Sequence, residues 1–328
     1  MLVLNRQEVE SLLDWDQLIQ ALASAMAELS AGRVSLPQRV GVFVPEQHGL
    51  LGLMPVYLNS SSTLATKLVT VFPQNTTSHL PSHQALVLVF DSTNGSPLAM
   101  MDGTYITAFR TAAGSALATQ LLARPDADLL TIVGTGVQAR AHARAIPRVR
   151  RVREIRIFGR DHQKARELAE EISNELNISV TAATSFREAA AGSGIICATT
   201  HSTDPVVIGK WLEPGVHVNS VGLNPKGREL DNDTIIKSLV VVESRQAALT
   251  NPPAGANDLI WPIRDRVITE EHIHAEVGEI ISGTRKGRTS PEQITLYKSV
   301  GVAVQDAVAA QIVLNAALDQ KLGMTVKI

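Results

Sequence analysis

The run Thr131-Ile132-Val133-Gly134-Thr135-Gly136-Val137-Gln138-Ala139 holds two glycines and an alanine at the spacing G-x-G-x-x-A, directly after an apolar strand pattern and directly before a helical one. Gly134 permits a tight turn, Gly136 bares the backbone to a pyrophosphate, and small Ala139 lets the helix pack close to the strand with its N-terminus toward the phosphates. Val137 and Gln138 lie in the same turn. The chemistry implied is dinucleotide binding. An ordinary glycine turn is the bland alternative, and the flanking strand and helix weigh against it.

The next strand decides which dinucleotide. NAD enzymes place an Asp or Glu at its tip to meet the adenosine ribose. Here the tip reads Ile157-Phe158-Gly159-Arg160, without a carboxylate, and Arg160 with Lys164 suits a 2′-phosphate. NADPH is therefore preferred, with NADH possible. With the turn shifted by one residue, Asp161 meets the ribose hydroxyls instead and the preference reverses. Arg160 as a solvated loop charge is the third reading. Thr200, just past the strand Ile195 to Ala198, stands at the carboxyl edge where ligands bind in such sheets.

Other reactive residue types carry weaker signals. Cys197 is the single cysteine and sits among apolar neighbours, so it reads as a buried thiol and excludes a disulfide scaffold. His272-Ile273-His274 with Glu276 has metal-type side chains, but H-x-H on a helix points its rings to different faces, so no metal is expected. His83 reads as a structural histidine before a substrate donor. The basic run Arg148 to Arg153 has no interleaved aromatics and reads as solvated charge.

These residues need a scaffold, and 328 residues suffice for two domains. Apolar residues make up 45% and charged ones 19%, below the usual charged fraction of about 25%, which fits a well-cored globule. Lys and Arg total 30 against 32 Asp and Glu, so the overall charge gives no handle for nucleic acid or an anionic membrane. The N-terminus has no signal-peptide pattern and no window is long and apolar enough to span a bilayer. A soluble cytoplasmic protein is the expectation.

Asn5 with Glu8 predicts a capping box, and Leu18, Ile19, Leu22, Met26 and Leu29 recur at helical spacing before Gly32. From Arg39 to Asp102 short β-rich runs follow (Val40 to Val44, Leu50 to Met54, Leu64 to Val71, Ala85 to Phe90), with a hairpin turn at Asp91 to Gly95. This predicts an antiparallel sheet with helices packed on it. Thr104 to Ala123 predicts a long buried helix. Strands at Leu129 to Val133, Glu154 to Phe158, Ile195 to Ala198, His217 to Val221 and Leu239 to Val242 alternate with helical segments, including Gln138 to Ile146 and His162 to Glu175, which implies a parallel, doubly wound sheet. Thr250 to Trp261 reads as surface loop, and Ser299 to Lys321 as a final helix. The fold class is thus α/β: a Rossmann-type doubly wound sheet plus an α+β domain.

The chain resembles the ornithine cyclodeaminase/mu-crystallin family, and most closely its ketimine reductases. The likeness runs over nearly the whole chain, through Gly52 to Pro55, Thr66 to Thr70, Pro81 to Gln84, Met101 to Gly103, Arg110 to Ala113, Gly134 to Ala139, Val221-Gly222, Arg228 to Asp231 and Lys298 to Gly301. It implies that residues 1–120, completed by 302–328, bind substrate and form a homodimer through their sheet, while residues 121–301 bind NAD(P). It also implies that Arg39, Lys67 and Arg110 grip a substrate carboxylate, with Lys67 and Arg110 catalytic. Ser82, Arg110, Thr200, Val221 and Ser299 would join the glycine motif and Gly159-Arg160 at the cofactor, and Val300 would lie at the substrate. Without the resemblance, Lys67 and Arg110 read mostly as structural charges paired with an internal acid.

One departure shapes the expected activity. The cyclodeaminases carry an acidic catalytic residue shortly after the Val-Gly that here is Val221-Gly222, and this chain has Leu223-Asn224-Pro225-Lys226-Gly227 there. Asn224 is no general base. Asp231, nearby, is expected to cap a helix. The resemblance therefore implies NADPH-dependent reduction of Δ1-pyrroline-2-carboxylate or Δ1-piperideine-2-carboxylate to L-proline or L-pipecolate. The alternatives are an NAD-dependent ornithine or lysine cyclodeaminase or alanine dehydrogenase on the same fold, and a crystallin-type protein that binds cofactor without chemistry.

Overall fold

The computed structural model describes residues 1–77, 80–251 and 254–327. The chain divides into two compact units, Met1–Arg110 with Val302–Ile328, and Thr111–Gly301. In chain order the elements are β1 (Leu2–Leu4), α1 (Arg6–Leu12), α2 (Trp15–Ser30), β2 (Val34–Ser35), β3 (Val40–Val44), β4 (Gly49–Leu58), β5 (Thr63–Val71), β6 (His83–Asp91), β7 (Pro97–Asp102) and the long α3 (Gly103–Leu122). Then come β8 (Leu129–Val133), α4 (Val137–Ala145), β9 (Glu154–Phe158), α5 (His162–Leu176), β10 (Ser179–Ala182), α6 (Phe186–Ala190), β11 (Ile195–Ala198), β12 (His217–Ser220), α7 (Asn232–Lys237) and β13 (Ser238–Val242). The chain closes with α8 (Arg245–Ala248), α9 (Asn257–Arg264), β14 (Ile273–Glu276), α10 (Val277–Ile281), β15 (Ile294–Lys298), α11 (Ala303–Gln320) and β16 (Met324–Thr325).

In the first unit, strands run in the order β16-β1-β7-β6-β5-β4-β2, with β3 also on β4. The central pairs are antiparallel, as the turn-punctuated runs predict, but β1 joins β7 in parallel. The capping box forms as expected: Glu8 N donates to Asn5 Oδ1 at 3.1 Å and Asn5 N to Glu8 Oε2 at 2.8 Å. Along β5, Thr63, Ala65 and Lys67 share the buried phase of the two-residue period. Lys67 lies between Met54 of β4 and Val87 of β6, and α11 packs over β4, β5 and α2. That helix is buried nearly all round, so its apolar character is uniform rather than striped. It begins at Ala303, later than the Ser299 expected from sequence, because Gly301 takes a left-handed φ of 72°.

The second unit holds an all-parallel sheet in the order β10-β9-β8-β11-β12-β15-β13-β14. Its central strands are buried on both faces, which is why they read in sequence as unbroken apolar runs. From β8 the chain winds to β9 and β10 on one side and later to β11 and β12 on the other. This reversal opens a crevice at the carboxyl ends of β8 and β11.

Three expectations fail here. His272 and His274 are not on a helix: His272 closes a short 3-10 turn and His274 lies in β14, and each ring donates from Nε2 to a carbonyl, of Ile235 and Lys286. Thr250 to Trp261 is not surface loop, since Ala254 to Leu259 are buried and open α9; Pro252 and Pro253 fall outside the described residues. Arg150 is not a solvated charge. It is half-buried and donates to the carbonyls of Thr119, Gln120, Ala123 and Arg124, satisfying the C-terminus of α3. Among the described residues, no helix is long and apolar enough to cross a membrane and no acidic, His or Cys cluster is placed to hold a metal.

Buried polar pairs tie α3 to the parallel sheet and its helices: His142 Nε2 meets Ser115 Oγ at 2.9 Å, and Asn219 Nδ2 donates to Thr119 Oγ1 at 2.9 Å. Burial pushes the His142 imidazole down to about 4, and burial with the Arg288 charge pushes His217 down to about 3. An unfolded histidine titrates near 6.5, so the unfolded chain takes up protons that the native unit refuses as the pH falls below that value. Stability is therefore full above pH 6.5 and declines on acidification, by on the order of 1 kcal/mol per pH unit for each histidine. Urea unfolding at pH 7, 6 and 5 should show this decline, and His142→Gln should make it shallower. Equal slopes in the two proteins would contradict the account.

Candidate functional site

The glycine turn sits at the carboxyl end of β8. Gly134 has φ 125°, and a Cβ there would lie 2.6 Å from Thr199 Oγ1, so both backbone shape and space demand glycine. Gly136 caps α4 without a side-chain hydrogen bond, and a Cβ built on it meets nothing within 4 Å. Below it Ala139 is fully buried, while Val137 is exposed. The open space over the first turn of α4, with its unpaired N–H groups, fits a phosphate. Gln138 Oε1 is buried without a hydrogen-bond partner among the described residues, an acceptor suited to a ligand hydroxyl.

At the tip of β9, Gly159 approaches Thr135 closely. Arg160 is exposed. Asp161 caps α5, its Oδ1 accepting from Gln163 N at 3.0 Å and Lys164 N at 3.2 Å.

The rest of this edge is shaped by buried carboxylates. Glu229 accepts from Thr200 N and Oγ1, Ser220 Oγ and Gly222 N at 2.6 to 2.8 Å. Asp258 accepts from Glu229 N and Leu230 N and pairs at 2.9 Å with Lys298, which also donates to Ser220 Oγ and the Gly222 carbonyl. Glu243 takes Ser299 Oγ at 2.6 Å and the amides of Val300 and Gly301. Thr200 and Ser299 thus have their hydroxyls engaged by carboxylates, and Val221 joins the edge through its N–H to the Ala198 carbonyl. Asn224 braces its loop, donating to the carbonyls of His201 and Ser202. Asp231 caps α7 as expected.

In the first unit, Lys67 and Arg110 come together on one acid. Lys67 Nζ lies 2.9 Å from Asp306, Arg110 Nε donates to Asp306 Oδ1 at 3.0 Å, and Arg110 Nη1 donates to Gln305 Oε1 at 2.8 Å. All three charged side chains are almost wholly buried. Burial lowers the Lys67 ammonium to about 8; Asp306 opposes that, while Arg110 and Arg39 add to it. Burial would raise the Asp306 carboxyl, but Lys67 and Arg110 hold it below its ordinary range. His83 is pushed down to about 4 by burial and by Lys67 and Arg110, so it stands neutral beside them. Ser82 precedes it, its carbonyl accepting from Phe72 N. Two cations against one anion leave this buried cluster with an excess positive charge, which is chemically suited to a carboxylate.

A model of the ornithine cyclodeaminase/mu-crystallin family matches residues 1–321. The chain belongs to that family. It is similar to the ketimine reductase mu-crystallin of Mus musculus, 38% identical over 317 residues that cover 95% of this chain and 96% of the mouse protein. Among solved structures it is similar to the Δ1-pyrroline-2-carboxylate reductase of Thermococcus litoralis in complex with NADH and L-proline, with a TM-score of 0.96, 40% identity, and 99% of this chain and 100% of that one covered. An archaeal alanine dehydrogenase dimer with bound NAD follows at a TM-score of 0.93 and 31% identity, covering 100% and 99%.

The family resemblance named Lys67 and Arg110, which meet on one acid, but the acids themselves were not singled out from the sequence. Asp306 had a signal: it is the one charged residue between Val302 and Leu318, in an otherwise apolar helix. Glu229 was visible only as part of the Arg228 to Asp231 segment, and Asp258 and Glu243 had no signal, because each serves backbone amides far away in sequence. The glycine turn yields a direct test. Gly136→Val places methyl groups in the open space at α4 and should weaken dinucleotide binding, followed by nicotinamide fluorescence, at least tenfold, with the melting temperature almost unchanged. Unaltered affinity would remove the phosphate from this turn.

Proposed function

We propose that the protein reduces cyclic ketimine carboxylates, Δ1-pyrroline-2-carboxylate and Δ1-piperideine-2-carboxylate, to L-proline and L-pipecolate, with NADPH as the preferred cofactor. The observation that carries this reading is the buried Lys67–Asp306–Arg110 cluster, net cationic, in a chain that also bears a dinucleotide-type glycine turn. Gly134, Gly136 and the first turn of α4 would hold the pyrophosphate, with Thr200, Val221 and Ser299 along the same edge. The reduced nicotinamide, when bound, supplies a hydride.

The protein's own part is positioning and proton supply. Arg110 takes the substrate carboxylate on the N–H groups left by Asp306 and Gln305, with Arg39 as a second guanidinium. Fixing the carboxylate fixes the adjacent imine carbon, an effect that contributes several kcal/mol when the reacting atoms are well aligned. Lys67 is poised, near pH 8, to give a proton to the imine nitrogen. Asn224 favours reduction over cyclodeamination, because its side chain is an amide engaged as a loop brace. NADPH is supported by exposed Arg160 and by the turn of Asp161 onto its own helix.

The same reading includes a homodimer formed through the first unit's sheet. Val40 and Val42 on one face of β3 and Phe43 on the other are 61%, 56% and 60% exposed, apolar surface suited to a second copy. Sedimentation should show a dimer that Phe43→Glu converts to monomer, whereas a monomeric parent protein would refute the assignment.

The central test is oxidation of NADPH and of NADH with each cyclic imine, beside L-ornithine with NAD. Rapid NADPH-dependent loss of imine is expected, and Arg160→Ala should raise KM for NADPH about tenfold while leaving that for NADH in place. Proline released from ornithine without imine turnover would assign a cyclodeaminase; cofactor and imine binding without turnover would assign a crystallin-type binding protein.

A further inference from the structure

Lys67, Arg110 and Asp306 come from β5, α3 and α11, so their meeting is a tertiary construction rather than a local sequence feature. Asp306 Oδ1 accepts from both Lys67 Nζ, at 2.9 Å, and Arg110 Nε, at 3.0 Å. Lys67 Nζ also lies 2.9 Å from Oδ2, so the ammonium straddles the carboxylate while Arg110 takes one of its oxygens, and one carboxylate sets the spacing of the two cations. Gln305, its neighbour on α11, holds Arg110 Nη1 at 2.8 Å, so the guanidinium is fixed at two points and its plane cannot swing. An ammonium has three donors, and one carboxylate leaves Lys67 capacity for a further acceptor.

We propose that Asp306 is the positioning residue for proton delivery: its carboxylate holds Lys67 as an ammonium directed at the imine nitrogen while the clamped Arg110 takes the substrate carboxylate. This rests on the imine-reductase reading of the preceding subsection. In the step, one Nζ–H bond of Lys67 breaks and the proton goes to the imine nitrogen. The imine carbon accepts the hydride of a reduced nicotinamide, which is oxidised, so C=N becomes CH–NH. Lys67 is left as a neutral amine and regains its proton from water.

The charges around Lys67 show why an acid is needed. Burial, Arg110 and Arg39 all disfavour its ammonium form, and Asp306 supports it. His83, pushed down to about 4, brings no charge to the cluster near neutrality. Losing the Asp306 charge should therefore lower the pH at which Lys67 gives up its proton. A general acid must be protonated to act, so activity that falls above the Lys67 titration should fall at lower pH in the variant.

The test follows the side chain and the rate together. In enzyme labelled with 13Cε-lysine, the resonance that vanishes in Lys67→Met is titrated in the parent and in Asp306→Asn, beside the pH profile of kcat. We expect the Lys67 titration and the basic limb of kcat to move down together by at least one unit, so that the variant loses about tenfold more activity at pH 8 than at pH 6. A Lys67 titration that does not move, or a loss of kcat that is uniform with pH, would overturn the proposal. If Asp306→Asn does not fold, Asp306→Glu decides: it keeps the charge but displaces the oxygen. It should hold the titration within half a unit while kcat falls about tenfold at unchanged cofactor affinity, and an unchanged kcat would overturn the positioning role. If the parent turns over no imine, the function assignment fails on its own, and the titration still decides whether Asp306 governs Lys67.

Discussion

Two cations buried in the first unit's core need an anion, and the chain supplies it from its far end. Leaving one partner of such a pair uncompensated costs about 3–5 kcal/mol, a large part of the net stability of a domain. Asp306 is thus a reason for α11 to return to the first unit. The return also covers the buried face of β4 and β5 with a helix that is apolar almost all round. An Ala-rich helix of this kind approaches a sheet closely. That close approach lets the short side chain of Asp306 reach Lys67 Nζ and Arg110 Nε at about hydrogen-bond length.

The same physics recurs at the carboxyl edge of the parallel sheet with the signs reversed. There the groups needing partners are backbone amides at strand ends, and buried carboxylates serve them. Glu229 gathers Thr200, Ser220 and Gly222; Asp258 gathers Glu229 and Leu230; Glu243 gathers Ser299, Val300 and Gly301. Lys298, fully buried, neutralises Asp258 and bonds the Gly222 carbonyl, so one ammonium links β15 to the loop after β12. Loops that must shape a ligand site have few backbone partners of their own. Charged side chains from neighbouring loops and from α9 supply that rigidity without closing the space over Gly136.

What the sequence displays depends on the range of the cause. The strands β8, β9 and β11 lie where the apolar runs predict, because a parallel strand buried on both faces has an unmistakable composition. The capping box at Asn5, the cap at Asp231 and the glycine turn were legible because each is settled within a few residues. β14 and β15 were not, since His274 and Lys298 make them look polar and their partners lie far along the chain. Lys67 and Arg110 came from the family resemblance, while their alternative reading as charges paired with an internal acid also holds: Asp306 is that acid.

A buried charge is therefore not evidence for structure or for function alone. A pair that neutralised itself would carry no net charge to attract an anion, and two unpaired cations would not stay buried and charged. One carboxylate between two cations meets both demands: it makes the pair tolerable in the core and leaves a positive excess for an incoming carboxylate. Burial also strengthens whatever that excess attracts, because little water remains to screen it. The depressed Lys67 and the neutral His83 are consequences of burial first and of the neighbouring cations second. A carboxylate bound beside Lys67 and His83 would raise both titrations, since it adds a negative charge.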